Sequence, residues 1–303
     1  RVGYFPAVAL AWKMKDEFFR TSNVVTDLKL RLGWGITGQQ DGLREYSYLP
    51  RYSLGNASAQ YQFGNTFVSV LRPEGYDPNL KWETTTTSNI GLDFGFAKNR
   101  ISGSIDFYSR KTKDLLADVP VAAGANFVNM IVTNVGDIES EGVELTINTT
   151  PVKNKNLTWD FGFNYTYNKA TITNLLKNPD PNFKGQEVSF IGGGTGNSIG
   201  IHAVGESPYT FIMYKQIYDE NGRPIDGLFE DINRDGIINS DDRYLYKKPA
   251  ADVLLGINTQ VTYKEFTFGL AGHGALGNYL YNNVNSNNGV LRAIKNPINF
   301  IGN

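Results

Sequence analysis

Twelve residues from Asp231 to Asp242 carry side-chain oxygens at the spacing of a calcium-binding loop. Hard oxygen ligands at alternating positions can curl around a hard cation, so the spacing matters more than the total charge. Gly236 stands at position six, where such loops turn sharply. The sequence therefore predicts a structural Ca²⁺ site whose ligands would be Asp231, Asn233, Asp235, Ile237 (through its backbone carbonyl) and Asp242.

This loop also fits a simpler interpretation. Position twelve is Asp rather than the usual Glu, which shortens the reach for bidentate binding, and no helical pattern flanks the loop. A polar turn closed only by Asx hydrogen bonds would have a similar composition. Both interpretations stay open at this level, and a catalytic role for the loop is not expected.

No other motif points to catalysis. Residues Gly196–Gly200 match G-x-S-x-G, but a nucleophile elbow needs a buried strand before the serine and a helix after it, and neither pattern is present. The chain has no Cys and only two histidines, His202 and His273, which leaves little for a thiolate or zinc centre. We therefore expect no catalytic residues and no enzymatic activity.

Composition excludes further classes of function. The 29 Lys and Arg residues are matched by 30 Asp and Glu, for a formal net charge of -1, so no basic surface for phosphate backbones is expected and nucleic-acid binding is disfavoured. At 41% hydrophobic and 13% aromatic residues, the chain is too apolar to be disordered. No apolar run reaches the roughly 18 residues of a transmembrane helix.

The elements that would position these residues are strands, because apolar and polar residues alternate with a period of two. The segment Leu157–Tyr167 shows this most clearly: every odd residue is apolar or aromatic and every even residue is small or polar. The same alternation recurs at 28–36, 89–96 and 253–263. No stretch has an apolar stripe at helical spacing, so the sequence predicts an all-β fold.

Strand and loop lengths favour an antiparallel transmembrane β-barrel over a soluble sandwich. The strands run to about ten residues or more, as membrane-crossing strands need, and Trp and Tyr lie near their ends, as in barrel girdles. Tight turns, at 97–100, 153–156 and 264–265, alternate with long polar stretches, at 38–81, 114–138 and 171–250. This segregation is typical of outer-membrane barrels with short periplasmic turns and long extracellular loops.

Residues 171–250 are expected to form one long extracellular loop region that contains the predicted calcium loop. The turns at 153–156 and 264–265 lie on the same side, so one strand up and one strand down account for the crossings between them. The apolar segment Tyr209–Tyr214 therefore cannot be a single membrane crossing. Residues 1–303 would then supply about eight strands of one barrel domain.

Two segments carry a resemblance to a known family. Pro78–Thr85 and Ser88–Gly95 are similar to the NPxLKWE–T–NIGLDFG segment of SusC/RagA-type TonB-dependent outer-membrane transporters. Further similarity follows in family order at Leu28–Arg31, Gly33–Gly38, Asn134–Gly136, Glu141–Glu144, Asp231–Arg243 and Gly277–Asn282.

The resemblance implies a barrel of about 22 strands in the bacterial outer membrane. Its N-terminal plug would be absent from residues 1–303, which we expect to be an excerpt of a longer protein. It also implies import of oligosaccharides or peptides with a SusD-like surface lipoprotein, coupled to TonB through the missing N-terminal part.

Two alternatives remain: a structural or adhesin outer-membrane barrel, and a secreted β-rich glycan-binding module. The loop residues Tyr46, Tyr48, Tyr52 and Tyr61 could stack on sugar rings or pack within their own loops. Substrate-binding residues and the substrate itself stay unknown from sequence.

Overall fold

The computed structural model describes residues 3–288, apart from 44, 56, 57, 59, 122, 123, 125, 127, 178, 179 and 192–197. The strands in this part of the chain are β1 (Ala7–Lys13), β2 (Val25–Gln39), β3 (Tyr52–Leu54), β4 (Gln60–Phe63), β5 (Thr66–Ser69), β6 (Leu71–Pro73), β7 (Glu83–Phe96), β8 (Ile101–Pro120), β9 (Met130–Lys153), β10 (Leu157–Asn174), β11 (Gln186–Phe190), β12 (Ser198–His202), β13 (Thr210–Tyr214), β14 (Gln216–Tyr218), β15 (Pro224–Phe229), β16 (Arg243–Leu245), β17 (Val253–Tyr263) and β18 (Phe266–Leu276). Two short helices, α1 (Met14–Phe18) and α2 (Asn283–Asn288), complete the elements, with a 3-10 turn at Ser240–Asp242. Neither helix is long and apolar enough to cross a membrane.

One antiparallel sheet of eight strands dominates the fold. Its order is β1-β2-β7-β8-β9-β10-β17-β18, so its strands are arranged in the order in which they occur along the chain. Each neighbouring pair is antiparallel. The all-β, antiparallel fold predicted from the alternation is confirmed, and the eight strands match the predicted number.

The register of this sheet places the apolar residues of every strand on one face. Because successive strand side chains point to opposite faces, the pairing decides which residues share a face. One apolar row crosses seven strands through the partners Trp12, Leu30, Leu92, Ile105, Leu145, Tyr165 and Leu255. A shift of one residue in any pair would move that strand's apolar set to the other face. We call the surface that contains this row the apolar face and the opposite surface the polar face.

The tight turns lie at one edge of the sheet, as the sequence predicts. Between β7 and β8 the residues Ala97, Lys98 and Asn99 have φ of 52°, 59° and 60°, the left-handed conformation of a short hairpin turn. The Asn154 side chain closes the next turn by accepting the backbone N–H groups of residues 156 and 157, both at 3.0 Å. The third turn, between β17 and β18, has only two residues.

The predicted polar loop at 114–138 is limited to residues 121–129 in the structure, so its predicted bounds are wrong. Strand β8 continues to Pro120 and β9 begins at Met130, and the two strands pair throughout this extension. The register shifts between Thr112 and Leu115, and Asp114 has a φ of 61°. The register returns to its earlier value from Leu116 onward, so the bulge interrupts the pairing only locally and both strands continue past it.

The connection between β10 and β17 contains a second, smaller sheet. Strands β11, β12, β13 and β16 form it, so the apolar segment around β13 is not part of the eight-stranded sheet. This agrees with the prediction that Tyr209–Tyr214 is not a single membrane crossing. Ile201, Ala203 and Ile212 form its buried core. Strand β10 itself extends to Asn174, slightly past the predicted start of this loop region at 171.

The assignment of faces predicts the outcome of paired charge insertions in β17. Ile257→Arg, on the apolar face, is expected to destabilise the full-length protein in a bilayer by about 2–4 kcal/mol. Gln260→Arg, three residues away on the polar face, should cost much less, because its charge meets water and Asp160, its partner on β10. Denaturant unfolding in lipid bilayers measures both, and equal costs would contradict the face assignment.

Candidate functional site

The apolar face of the large sheet has no covering layer among the described residues. None of the row residues is buried, and Val8, Leu10 and Phe268 expose 65%, 60% and 66% of their surface. Soluble monomers rarely expose an apolar surface of this extent. Acyl chains can cover such a surface without a second protein layer, so the face suits contact with lipid.

The polar face carries a cluster of opposite charges at mid-height. Arg31 on β2 donates from Nε to both Asp93 carboxylate oxygens at 3.0 Å, and from Nη2 to Asp106 at 2.9 Å. Lys29 Nζ lies 2.7 Å from Asp93 Oδ2. Two cations therefore neutralise two carboxylates, and the bidentate geometry fixes the guanidinium in place. This cluster ties β2, β7 and β8 together on the side that would face an aqueous passage.

Gly91 makes the contact between Arg31 and Asp106 possible. It lies on β7 directly between Arg31 and Asp106, which are its partners on β2 and β8. A Cβ at this position would collide with the Asp106 carboxylate and lie 2.7 Å from Arg31 Nη2. The missing side chain thus opens a gap through which Arg31 reaches a strand that is not its neighbour.

The same device recurs on the polar face further along the sheet. Tyr108 on β8 reaches across Gly142 on β9, and its hydroxyl donates to Asn168 Oδ1 on β10 at 2.9 Å. A Cβ at Gly142 would lie 2.5 Å from the Tyr108 hydroxyl oxygen. We call Gly91 and Gly142 the glycine gaps. Together they cross-link strands β2 to β10 through side chains as well as through the backbone.

The charge cluster and the glycine gaps are not apparent from the sequence alone. The alternation places Arg31 and Asp93 on the polar sides of their strands, but 62 residues separate them. Only the pairing of β2 with β7 brings them together. A charged residue opposite a glycine in the register is the signal that would find such sites.

At the long-loop edge, a buried aspartate fastens the segment that precedes β7. Asp77 is 6% exposed. It accepts hydrogen bonds from the Thr133 hydroxyl on β9, from the Asn79 backbone at 2.8 Å and from Lys177 Nζ at 3.2 Å. Burial raises the pKa of Asp77, but these hydrogen bonds outweigh it, so the pKa lies below its ordinary value. Asp77 is thus held ionised where three chain segments meet.

Asn134 holds the same segment through its backbone. Its side chain accepts the Lys81 N–H and donates to the Lys81 carbonyl, both at 2.8 Å. Its amide also donates to the Asp114 carbonyl at 2.7 Å, at the bulge of β8. Two of the segments that carry the family resemblance, 78–85 and 134–136, are therefore in direct contact.

The structure folds the loop Asp231–Asp242 around its own carboxylates. Asp242 is fully buried, and it accepts the N–H groups of Ile232 and Asn239, both at 2.9 Å. The Asn239 N–H is the main cause of its lowered pKa, which burial opposes. Asp231 accepts the Gly236 N–H at 2.7 Å, and Asn233 accepts the Asp235 N–H at 2.9 Å.

These hydrogen bonds match the Asx-closed turn, and they leave the calcium prediction open. Each carboxylate oxygen has two lone pairs, so an oxygen that accepts one N–H group leaves room for a cation, whereas Asp242 Oδ1 accepts the N–H groups of both Ile232 and Asn233. Ile237, the fourth predicted ligand, donates its N–H to Asp235 at 2.8 Å. Within the described residues, no group of three or more His, Asp and Glu side chains is already arranged to hold a metal ion. The Ca²⁺ site therefore stays a prediction.

The G-x-S-x-G motif does not form a nucleophile elbow. Ser198 begins strand β12 instead of a helix, and its hydroxyl donates to Glu187, which is itself paired with Arg243. Residues 192–197, which include the first part of the motif, lie outside the described residues. His202 packs edge-on against the Tyr209 ring at 4.6 Å, and His273 is exposed on β18.

A cavity of about 660 Å³ lies where the start of the chain meets the 40–82 connection. Tyr46 and Tyr48 line it together with Trp82, whose ring stacks on Phe5 at 5.3 Å. Tyr61 instead packs against Phe63 within its own hairpin, at 4.7 Å. Aromatic faces in an open cavity can hold sugar rings or apolar peptide side chains, so Tyr46 and Tyr48 are candidate contact residues.

A wall with one apolar and one polar face, short turns at one edge and long loops at the other defines a class of membrane barrel. The family model described as "TonB dependent receptor-like, beta-barrel" matches residues 2–223, and the chain belongs to this family. The family indicated by segments 78–85 and 88–95 is thereby confirmed.

Among individual proteins, the chain is similar to the TonB-dependent receptor SusC of Bacteroides thetaiotaomicron. The two are 46% identical over 288 residues, which is 95% of this chain and 29% of SusC. TonB-dependent receptor P3 of Formosa agariphila is 30% identical over 302 residues, 93% of this chain and 29% of that protein. The chain thus spans about three tenths of the length of these relatives.

Solved structures show the same fold. The RagAB peptide importer in its open-open state superposes with a TM-score of 0.76 at 22% identity, over 93% of this chain and 30% of that one. The RagAB peptide transporter gives a TM-score of 0.71 at 21% identity, over 90% of this chain and 29% of that one.

The glycine gap at Gly91 predicts an unusual cost for a small substitution. Gly91→Ala should force the Arg31 and Asp106 side chains apart and destabilise the full-length protein by about 1–2 kcal/mol. Gly256→Ala is the matched control, since it also lies on the polar face of a strand but its Cβ would meet nothing nearer than 3.5 Å. It should change the unfolding free energy by less than about 0.5 kcal/mol. If the two variants lose similar amounts of unfolding free energy in denaturant titrations, the role assigned to Gly91 is wrong.

The lowered pKa of Asp77 predicts acid sensitivity of the 77–82 segment. Because the folded-state pKa lies below the ordinary value of about 3.9, the ionised carboxylate stabilises the segment above that pH. The contribution is lost as the pH falls through the lowered pKa. Amide hydrogen exchange of residues 77–82, corrected for its intrinsic pH dependence, should therefore accelerate below about pH 4 in the wild type. Asp77→Asn should show faster exchange already at neutral pH and little further change, whereas an identical pH profile in both proteins would contradict this role.

Proposed function

We propose that this chain forms part of the barrel wall of a TonB-dependent importer in the bacterial outer membrane. The observation that carries the proposal is the large antiparallel sheet with an uncovered apolar face and an internally neutralised polar face. Lipid would contact the first face and water the second. Transport through such a wall needs no covalent step, which agrees with the absence of any catalytic motif in the sequence.

The proposed cargo is an oligosaccharide or a peptide, captured with a SusD-like surface lipoprotein. SusC is a TonB-dependent receptor, and the RagAB structures are described as a peptide transporter and importer. The long connections at one edge, fastened by Asp77 and Asn134, would offer the surface for such a lipoprotein. The aromatic cavity at Tyr46 and Tyr48 supports a ligand with sugar rings or apolar side chains.

Two alternatives fit these observations less well. A secreted glycan-binding module would bury its apolar strand faces against a second layer, and the described residues provide none. A structural or adhesin barrel would share the wall, so only a transport measurement separates it from an importer.

Uptake by intact cells tests the proposal. A strain that lacks the full-length protein should lose growth on, and accumulation of, a labelled glycan or peptide substrate, and complementation should restore both. Deletion of TonB or of the partner lipoprotein should cause the same loss, because both are required for coupled import. Unimpaired uptake across a panel of glycans and peptides, with the barrel still present in the outer membrane, would instead favour a structural role.

We further propose that Ca²⁺ binds the loop Asp231–Asp242 and stabilises it, a role that is structural. The spacing of the oxygen-bearing residues supports this proposal, and so does the closed form of the loop, in which Asp231 and Asp242 accept backbone N–H groups. If calcium binds, residues 215–250 should resist proteolysis in Ca²⁺ and become sensitive after chelation. The double variant Asp231→Ala and Asp235→Ala should remove this difference, while Asp180→Ala, outside the loop, should retain it. Equal digestion of the wild type with and without chelator would eliminate the site.

A further inference from the structure

The four connections at the turn edge of the large sheet share a feature that import does not require: they are strongly basic. The turn rim, as we call it, comprises residues 14–24, 97–100, 154–156 and 264–265 together with the strand-end residues Lys13 and Lys153. The rim holds eight Lys and Arg residues against three Asp and Glu, a formal charge of +5 in a chain whose total is -1. Its basic residues are Lys13, Lys15, Arg20, Lys98, Arg100, Lys153, Lys155 and Lys264; its acidic residues are Asp16, Glu17 and Glu265.

The turn rim is a continuous surface along one edge of the sheet. Backbone hydrogen bonds join its neighbouring connections: Ala97 N–H donates to the Val24 carbonyl and Lys264 N–H to the Asn156 carbonyl, both at 2.8 Å. The Arg100 guanidinium reaches the Lys153 carbonyl at 3.4 Å. The basic side chains therefore lie side by side along the edge and not on separate loops.

Most of this charge is exposed and unpaired. Seven of the eight basic residues are exposed, all except Lys15. None of the eight forms an ion pair with a carboxylate within the described part of the chain, although Lys29 and Arg31, deeper in the sheet, do so. The rim thus keeps its positive charge for a ligand outside the sheet.

Aromatic residues mark the level of the membrane interface directly beside the rim. On the apolar face, Trp12 precedes Lys13, Phe96 precedes the turn at 97–100, and Tyr263 precedes Lys264. Trp and Tyr prefer the headgroup level of a bilayer. Lys264 Nζ lies 5.4 Å from the centre of the Tyr263 ring, so the cation stands where a lipid headgroup would be.

We propose that the turn rim binds the headgroups of anionic phospholipids in the leaflet that adjoins the short turns. This rests on the proposed membrane placement and adds a lipid preference to it. Charge complementarity and the continuity of the rim with the lipid-facing apolar surface both favour lipid over an acidic protein segment. Clustered basic residues beside a membrane-embedded surface attract anionic lipid, by about 1 kcal/mol per residue.

Fluorescence quenching by brominated lipids tests the preference. The full-length protein is reconstituted in phosphatidylcholine bilayers containing either dibrominated phosphatidylglycerol or dibrominated phosphatidylcholine. The signal lost in the Trp12→Phe, Trp159→Phe double variant reports lipid beside the rim. We expect the anionic lipid to be preferred on the order of fivefold at low salt. The preference should vanish at about 1 M salt, where the Debye length is about 3 Å.

Two matched sets of neutralising substitutions assign the effect to the rim. Lys13→Gln, Lys98→Gln, Lys155→Gln and Lys264→Gln together remove one charge from each connection of the turn rim and should abolish the preference. Lys184→Gln, Lys215→Gln, Arg223→Gln and Lys247→Gln remove four charges from the opposite edge and should leave it intact.

The remaining outcomes separate the two proposals. Equal quenching by both lipids in the wild type, or a preference that survives the rim substitutions, overturns the lipid proposal but leaves the membrane placement standing. Salt-dependent binding of polyglutamate to the rim without any lipid preference would assign the rim to an acidic protein and also overturn it. Absence of quenching by either lipid would refute the membrane placement itself.

Discussion

Backbone pairing is the constraint on which the rest of this structure depends. Hydrocarbon offers no hydrogen-bond partner, so each unpaired N–H or C=O group there costs several kcal/mol. Long antiparallel strands with tight turns satisfy these groups within the sheet. Once the register is fixed, successive side chains of every strand point alternately to the two faces of the sheet. The apolar row from Trp12 to Leu255 therefore lies on one face.

The polar surface carries charged side chains beside water, and an unbalanced charge there would attract oppositely charged solutes. Arg31 and Lys29 are neutralised by Asp93 and Asp106, so the face is hydrophilic yet locally balanced. The glycine gap at Gly91 makes this balance possible across three strands. At the loop edge, Asp77 and Asn134 fix the entry into β7, so the long connections begin from defined positions.

Much of this architecture could be predicted from sequence, because alternation is a local property. The segment Leu157–Tyr167 reveals both its strand and its apolar side without any partner. The extension of β8 past Thr112 could not be predicted, since a bulge near Asp114 interrupts the pairing and the residues beyond it, Leu115–Val119, do not alternate between apolar and polar. The contact of Arg31 with Asp106 spans 75 residues and depends on register. For Asp231–Asp242 the spacing identifies a closed loop but does not decide the cation, because the same oxygens serve backbone N–H groups.

The glycine gaps have a consequence for how such a sequence can drift over generations. An outward Leu can be exchanged for Ile or Phe with little effect on its neighbours, since acyl chains adapt to either shape. A gap is different, because Gly91 is useful only while Arg31 and Asp106 flank it. Positions 31, 91 and 106 should therefore vary together among related proteins, as should 108, 142 and 168, even though each trio is scattered along the chain.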